Sequence, residues 1–223
     1  MKTLSIKNKN YPKLLKEISN PPVNIYVRGD EKILNKSGIA VVGTRNLSAY
    51  GEKSTKILVK ELVERGFVIV SGLALGIDTI AHQTAIENGG LTIAVLGSSI
   101  DDKSIYPKEN IKLAEEIVKS GGAVISEYPS PFTAKKYTFP QRNRIVSGLS
   151  KATVVIEAPE KSGALITAKF ALEQNREVFA LPGEIFAENS IGTNNLIKQG
   201  AQLITSAKEV IETLGIQQGL LKI

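Results

Sequence analysis

Residues 39–78 read IAVVGTRNLSAYGEKSTKILVKELVERGFVIVSGLALGID, and this stretch already indicates the fold class. Two short apolar runs, Ile39–Gly43 and Phe67–Val70, are rich in valine and isoleucine and show no polar alternation. Runs of this kind are typical of strands that are covered on both faces. The amphipathic stretch Tyr50–Arg65 lies between them. We therefore predict a strand, a helix and a second strand that is parallel to the first.

The same alternation continues over the rest of the chain. Further runs of strand length are Leu91–Gly97, Ala123–Ser126, Ala152–Ala158, Glu177–Leu181 and Ala201–Thr205. Further helices are predicted at Ile77–Glu87, Lys108–Lys119, Ala164–Gln174, Asn194–Gln199 and Ala207–Leu214. This pattern predicts an α/β fold with a doubly wound, mainly parallel sheet and helices on both faces.

We expect a single domain, because no linker rich in proline, glycine or serine divides the chain. Residues 1–37 are predicted as an N-terminal prelude packed on the core, with a short helix after Pro12 and an edge strand at Val23–Arg28. Residues 38–214 are predicted to form the core. Residues 215–223 are predicted as a short, frayed tail.

Composition excludes several classes of protein. The 223 residues include no cysteine and a single histidine, His82, which excludes disulfide frameworks, cysteine nucleophiles and multi-histidine metal sites. No apolar run reaches the roughly 18–20 residues of a membrane span, and the first residues are too polar for a signal peptide. We therefore expect a cytoplasmic protein. The net charge of +6 favours an anionic partner.

In an open α/β sheet, ligands bind beyond the carboxyl ends of the strands, so the loops at that edge are informative. Four such loops combine glycine with serine or threonine: Gly43-Thr44-Arg45, Ser71-Gly72, Gly97-Ser98-Ser99 and Ser162-Gly163. Each loop alone fits a tight turn with a helix cap. Glycine also permits close backbone approach, and free N–H groups at helix starts attract anions. Four converging loops therefore predict a groove that binds phosphates.

Signatures of common nucleotide enzymes are missing from the sequence. No G-x-G-x-x-G follows the first predicted strand, and neither a P-loop nor a G-x-S-x-G elbow occurs. Asp78 and His82 stand four residues apart on one predicted helix, where they could orient a general base. Because the spacing supplies no third partner, we expect a structural hydrogen bond there and no catalytic residue.

Residues 135–144, KKYTFPQRNR, combine four cations with the rings of Tyr137 and Phe139. Cations neutralise phosphates, and an aromatic ring stacks on an unpaired base for about 1–3 kcal/mol whatever the base. The alternative is a solvated basic turn whose rings pack inward. We favour a nucleic-acid contact, which Arg45 would share from the loop after the first predicted strand.

Several motifs then occur in a fixed order along residues 11–214. They are YPKLL at 11–15, YVRG at 26–29, VGTR at 42–45, SGLALGIDTIAH at 71–82, FPQRNRIVSGLS at 139–150, SGALITA at 162–168, VFALPG at 178–183 and GTNNLI at 192–197. Together they resemble the core of the DprA (also called Smf) family, the DNA-processing proteins of natural transformation. The resemblance implies an extended Rossmann-like fold.

The family resemblance also implies a function. It implies a protein without a cofactor, a metal or a catalytic role, which binds single-stranded DNA without sequence preference and loads the RecA recombinase onto it for homologous recombination in competent cells. Arg45 and Lys136 would contact phosphate, and Phe139 would stack on a base. Arg142 and Arg144 would support the pocket, unless one of them pairs internally instead. The implied DNA-binding residues are Gly43, Thr44, Arg45, Ser71, Gly72, Lys136, Phe139, Arg142, Asn143, Arg144, Ser162, Gly163 and Thr167. A homodimer is implied as well.

The sequence departs from the family and leaves alternatives open. Many members add a small helical domain before the core and a winged-helix domain after it, and we expect neither here. One alternative is a nucleotide or phosphoribosyl hydrolase similar to the LOG family, which uses a P-G-G-x-G-T-x-x-E loop. Residues 162–169, SGALITAK, offer no such glutamate. Another alternative is a DNA sensor in phage defence, which would use the same groove.

Overall fold

Within residues 1–215, which a computed structural model describes, nine strands form one sheet. The strands are β1 (Lys2–Ser5), β2 (Asn24–Gly29), β3 (Gly38–Val42), β4 (Val68–Ser71), β5 (Thr92–Leu96), β6 (Ala123–Ser126), β7 (Ala152–Val155), β8 (Glu177–Ala180) and β9 (Gln202–Leu203). The α-helices are α1 (Lys13–Lys16), α2 (Ala49–Glu64), α3 (Ile77–Glu87), α4 (Ile111–Lys119), α5 (Thr138–Gly148), α6 (Gly163–Glu173), α7 (Ile191–Lys198) and α8 (Ala207–Thr213). Short 3-10 helices lie at Glu31–Asn35, Lys108–Asn110 and Glu188–Ser190. All but the first residue of the expected tail lies outside the described residues.

The order of the strands is β1-β2-β6-β5-β4-β3-β7-β8-β9. All pairs from β6 to β9 are parallel, whereas β1 pairs antiparallel with β2 and β2 pairs antiparallel with β6. The chain first adds β4, β5 and β6 on one side of β3 and then crosses to the other side with β7. The order therefore reverses between β3 and β7, and a crevice at such a reversal is where open α/β sheets bind ligands.

Strand β3 shows why the apolar runs carry no polar alternation. Ala40 and Val42 pack on one face of the sheet with α1, α5, α6 and α7, and Ile39 and Val41 pack on the other with α2, α3 and α8. Successive side chains of a strand point to opposite faces, so a sheet covered on both faces needs apolar residues at every position. None of the helices in residues 1–215 is long and apolar enough to cross a bilayer.

The N-terminal region differs from the prediction. Strand β2 pairs with both β1 and β6, so the predicted edge strand at Val23–Arg28 is wrong: this segment lies inside the sheet, and β1 is the edge. Strand β1 is only four residues long, and Leu4 is the one fully buried residue in it. A strand so short and so exposed gives no periodic apolar signal.

The structure adds helix α5, which is not among the helices that the sequence pattern predicts. Pro140 lies in the first turn of α5, where a missing N–H costs nothing because that group has no partner within the helix. The buried side of α5 includes Arg142 together with Ile145 and Val146. A buried arginine interrupts the apolar periodicity by which a helix is recognised, and the helix places this segment at a defined position above the sheet.

Candidate nucleic-acid interface

A groove of about 620 Å³ lies at the reversal of strand order, at the carboxyl edge of the sheet. The loops that follow β3, β4 and β7 form part of its wall, and the N-terminal parts of α5 and α6 form much of the rest. The predicted site residues that border the groove are Gly43, Thr44, Arg45, Gly72, Lys136, Phe139, Arg142, Asn143, Ser162, Gly163 and Thr167. Parallel strands direct their carboxyl ends to one edge, which explains why loops far apart in sequence meet here.

Ser71 and Arg144 do not border the groove. The Ser71 hydroxyl is buried and donates to the Val41 carbonyl oxygen at 2.7 Å, which ties β4 to β3. The Arg144 guanidinium pairs with the Glu127 carboxylate through two hydrogen bonds of 2.7 and 3.0 Å. Both side chains are therefore occupied by partners within the protein, although the sequence predicted them at the site.

The N-terminal turns of α5 and α6 both border the groove, and neither first turn carries an acidic residue. The Asn143 side chain, near the middle of α5, donates to the Gly163 carbonyl oxygen at 3.1 Å, which holds α5 against the start of α6. Free N–H groups and the helix dipole make each N-terminus attractive to anions. Two such ends beside one another give the groove a positive backbone potential.

A Cβ added at Gly163 would meet no atom within 4 Å, so this position faces open space in the groove. Gly72 shows the opposite situation, since a Cβ there would lie 2.0 Å from an Arg142 guanidinium nitrogen. Glycine at position 72 thus lets the loop after β4 approach the arginine, and glycine at position 163 leaves room for a ligand.

Exposed cations line the groove on two sides. Arg45 follows β3, Lys136 precedes α5, and Lys161 precedes α6. Lys161 was missing from the predicted site, although its loop was singled out for its glycine and serine. Because lysine side chains are long and flexible, sequence alone does not indicate which way they extend.

Phe139 lies in the groove between a cation and a second ring. The Arg45 guanidinium carbon is 5.7 Å from the centroid of the Phe139 ring, and the Tyr106 ring centroid is also 5.7 Å from it, tilted by 52°. Tyr106 borders the groove and is half exposed. Sequence reasoning missed Tyr106, because it belongs to the long loop after β5, whose path is set by tertiary contacts.

Arg142 forms the buried base of the groove. Its side chain is only 5% exposed, and one guanidinium nitrogen donates to the carbonyl oxygens of Gly72 and Val95. Burial lowers the pKa of Arg142 to about 10, against the opposing effect of the Asp78 carboxylate, so the side chain stays protonated at neutral pH. This cation links α5 to the loop after β4 and to strand β5.

Asp78 is the carboxylate partner in this buried arrangement. It accepts hydrogen bonds from the backbone N–H groups of Gly72 at 3.0 Å and Ala74 at 3.4 Å. Burial raises the pKa of the Asp78 carboxyl, whereas Arg142 and these hydrogen bonds act in the opposite direction. Asp78 and Arg142 thus fix the loop after β4 from two sides.

His82 lies one helical turn after Asp78 but does not border the groove. It is fully buried, and its Nδ1 is 2.6 Å from the Thr92 hydroxyl oxygen. Burial lowers the pKa of His82 to about 3, so the ring is neutral at physiological pH. The expected structural hydrogen bond is present, here to β5.

Comparisons with known proteins identify the family of this chain. A family model described as DNA recombination-mediator protein A matches residues 2–215. The DNA processing protein DprA of Bacillus subtilis is 46% identical over 213 residues, which cover 95% of this chain and 71% of that protein. The chain spans about half the length of two further curated relatives.

Solved structures agree as well. The X-ray structure of DprA from Streptococcus pneumoniae matches with a TM-score of 0.89 and 43% identity, over 95% of this chain and 73% of that one. A structure of DNA processing protein A from Helicobacter pylori, described as showing a unique single-stranded DNA binding mode, matches with a TM-score of 0.84 and 36% identity over 96% of both chains. These matches confirm the expected Rossmann-like α/β fold. By its family model, its relatives and its structure, the chain belongs to the family of DNA recombination-mediator protein A.

Proposed function

We propose that this chain binds single-stranded DNA without sequence preference and acts as a recombination mediator that delivers the strand to a RecA recombinase. The observation that carries the proposal is the placement of Phe139, an accessible ring, among Arg45, Lys136 and Lys161. A ring surrounded by cations suits a polymer in which bases alternate with phosphates.

The phosphates would contact the cations and the helix ends. Arg45, Lys136 and Lys161 are exposed, and none of them forms an ion pair within residues 1–215. Backbone N–H groups at the starts of α5 and α6 add donors at the same place. Each cation that neutralises a phosphate releases counterions, so binding would weaken as salt rises.

The bases would stack on Phe139, with Tyr106 beside it. Stacking tolerates any base, because every base has a π-face. Two of the polar side chains at the groove are engaged within the protein: Asn143 donates to Gly163, and Arg142 donates to backbone carbonyl oxygens. These contacts support binding without sequence preference.

The burial and the hydrogen bonds of Asp78 favour binding over catalysis. Asp78 is the one carboxylate among the described residues that line the groove. It is buried and accepts hydrogen bonds from two backbone N–H groups. It therefore supports the loop after β4 and is poorly placed to activate a water molecule. The LOG-like hydrolase alternative has no free carboxylate in this groove.

We place this role in the cytoplasm, in DNA processing during transformation; the relatives' names, DNA processing protein DprA, support the DNA-processing part. Delivery of the strand to RecA and assembly as a homodimer are further parts of the proposal. The family's name as a recombination mediator supports the delivery step, and the resemblance of residues 11–214 supports both.

The test is a mobility-shift assay with labelled oligo(dT) across a salt series, with and without a recombinase. We expect binding by the natural protein and none by an Arg45→Glu, Lys136→Glu variant whose circular dichroism spectrum is unchanged. Lys119→Glu, at the C-terminal end of α4 and away from the groove, is the matched control and should bind normally. Full affinity in the double variant would refute the site.

Incubation with nucleoside monophosphates tests the hydrolase alternative. We expect no free base. Release of base by the natural protein, abolished by Asp78→Asn, would replace the proposed function with an enzymatic one.

A further inference from the structure

A cluster of aromatic and basic side chains lies beside the groove, on the side of β5 and β6. We call it the shelf and define it as Tyr128, Phe132, Lys135 and Tyr137. We propose that a DNA strand leaving the groove crosses the shelf, so that the binding surface extends toward β6 and away from β8. This inference rests on the proposed function and specifies the path of the ligand.

The shelf is built from stacked rings and a cation. The Tyr128 and Phe132 rings are parallel within 7°, with centroids 4.3 Å apart. The Lys135 ammonium nitrogen lies 5.7 Å from the Phe132 centroid and 5.9 Å from the Tyr137 centroid. Tyr137 is 53% exposed, so its ring is available to a base. Aromatic surface with an interleaved cation is the chemistry that recognises unpaired nucleotides.

The shelf is anchored by hydrogen bonds to the loop after β5 and to the start of α5. The Phe132 backbone N–H donates to the Ser99 hydroxyl at 2.8 Å, and the Ser99 N–H donates to the Phe132 carbonyl oxygen at 2.9 Å. The Thr138 hydroxyl donates to the Lys135 carbonyl oxygen at 2.8 Å. A surface that is already ordered costs less conformational entropy on binding than a loop that must fold around the strand.

The shelf is continuous with the groove. Lys136 borders the groove, and its two chain neighbours, Lys135 and Tyr137, belong to the shelf. A phosphate bound at Lys136 therefore places the next nucleotides against the shelf. Two carboxylates belong to the loops that carry and anchor the shelf. The Glu127 carboxylate is paired with Arg144, and the Asp101 carboxylate accepts hydrogen bonds from the hydroxyls of Ser99 and Ser130.

On the β8 side of the groove, opposite the shelf, the neighbouring surface is acidic and would repel DNA. Thr44 and Pro159 separate the groove from a second cavity, which is bordered by Glu157, Glu184 and Glu188. Among the described residues that line this cavity there is no lysine or arginine. A phosphate backbone would be repelled there, whereas Lys135 attracts it on the other side.

The test compares a short and a long oligo(dT), of about 6 and about 15 nucleotides, within the usual range of single-strand site sizes. We expect the natural protein to bind the long strand more tightly than the short one. The variant Lys135→Ala, Tyr137→Ala should bind the short strand normally and lose about 5- to 150-fold in affinity for the long one, the equivalent of one stacked base. Tyr137→Phe keeps the ring. It should therefore keep most of the higher affinity that the natural protein shows for the long strand over the short one.

The matched control is Tyr50→Ala, Lys60→Ala, which removes an exposed tyrosine and an exposed lysine from α2, with Tyr50 bordering the cavity on the β8 side. It should leave both affinities unchanged. If the control variant loses the tighter binding of the long strand and the shelf variant keeps it, the strand leaves the groove toward β8 and the inference is wrong. If the shelf variant and the control both keep the full gain, the shelf is not part of the site, and the proposed function stands. If the natural protein binds neither strand, the proposed function itself fails.

Discussion

Removing the free cations of the groove should flatten the salt dependence of DNA binding by a calculable amount. The cations of residues 1–215 that line the groove with unpaired ends are Arg45, Lys136 and Lys161. Arg142 and Arg144 are excluded from the count, because Arg142 is buried against carbonyl oxygens and Arg144 is paired with Glu127.

Each phosphate contact contributes a slope of about −0.7 in log K against log salt for single strands, so three contacts predict a slope of about −2.1. A fourfold rise in salt, from about 50 to about 200 mM, should then weaken binding of a short oligo(dT) about 18-fold. In Arg45→Ala, Lys136→Ala the slope should be about −0.7, and the same rise in salt should cost about 2.6-fold.

The assay is fluorescence anisotropy with an oligo(dT) of about six nucleotides, short enough to occupy mainly the groove. Lys119→Ala, an exposed lysine on α4, is the control and should retain the natural slope. A double variant that keeps the natural slope would place the phosphates elsewhere. A natural slope near −3.5 would mean about five contacts, so that Arg142 and Arg144 exchange their internal partners for DNA.

Four further predictions follow from the site and its support. Phe139→Ala should weaken binding of oligo(dT) by about 1–3 kcal/mol through loss of stacking, with the salt slope unchanged; an unaltered affinity in the same anisotropy assay would contradict the stacking role. Gly163→Glu should fold normally, because a Cβ at this position meets no atom within 4 Å, and should bind DNA much more weakly, because it adds a carboxylate where phosphates are proposed; tight binding would argue against this wall of the groove. Arg142→Met should lower the free energy of unfolding in urea by about 1–3 kcal/mol for each buried acceptor that loses its donor, here the carbonyl oxygens of Gly72 and Val95; an unchanged stability would show that Arg142 does not hold these segments together. His82 has a folded-state pKa of about 3 against an ordinary value of 6.5, so its contribution to stability is complete above pH 6.5 and is lost as pH falls toward 3, at up to about 1.4 kcal/mol per pH unit. The raised pKa of Asp78 changes stability with pH in the opposite direction. The measurement is therefore the difference in urea stability between the natural protein and His82→Gln from pH 7 to pH 4. A difference that does not change with pH would refute the assignment.

The sequence by itself determined the fold class and the edge of the sheet where the groove lies. Apolar runs such as Ile39–Gly43 identify buried parallel strands without knowledge of their neighbours, since both faces of such a strand must be apolar. Because the carboxyl ends of parallel strands meet at one edge of the sheet, the sequence also placed Gly43, Gly72 and Gly163 together at that edge. Both inferences depend on patterns that extend over a few residues and on a geometric property common to all parallel sheets.

Only the tertiary structure decided which polar side chains face the ligand. Arg142 and Arg144 are indistinguishable from Lys136 in sequence, yet one lies under the groove, one pairs with Glu127, and the lysine is free. Tyr106, from a loop after β5, reaches Phe139 although the two are distant in sequence. The free energy of a charged or aromatic side chain depends on partners brought together by long-range packing, and local periodicity contains no information about those partners.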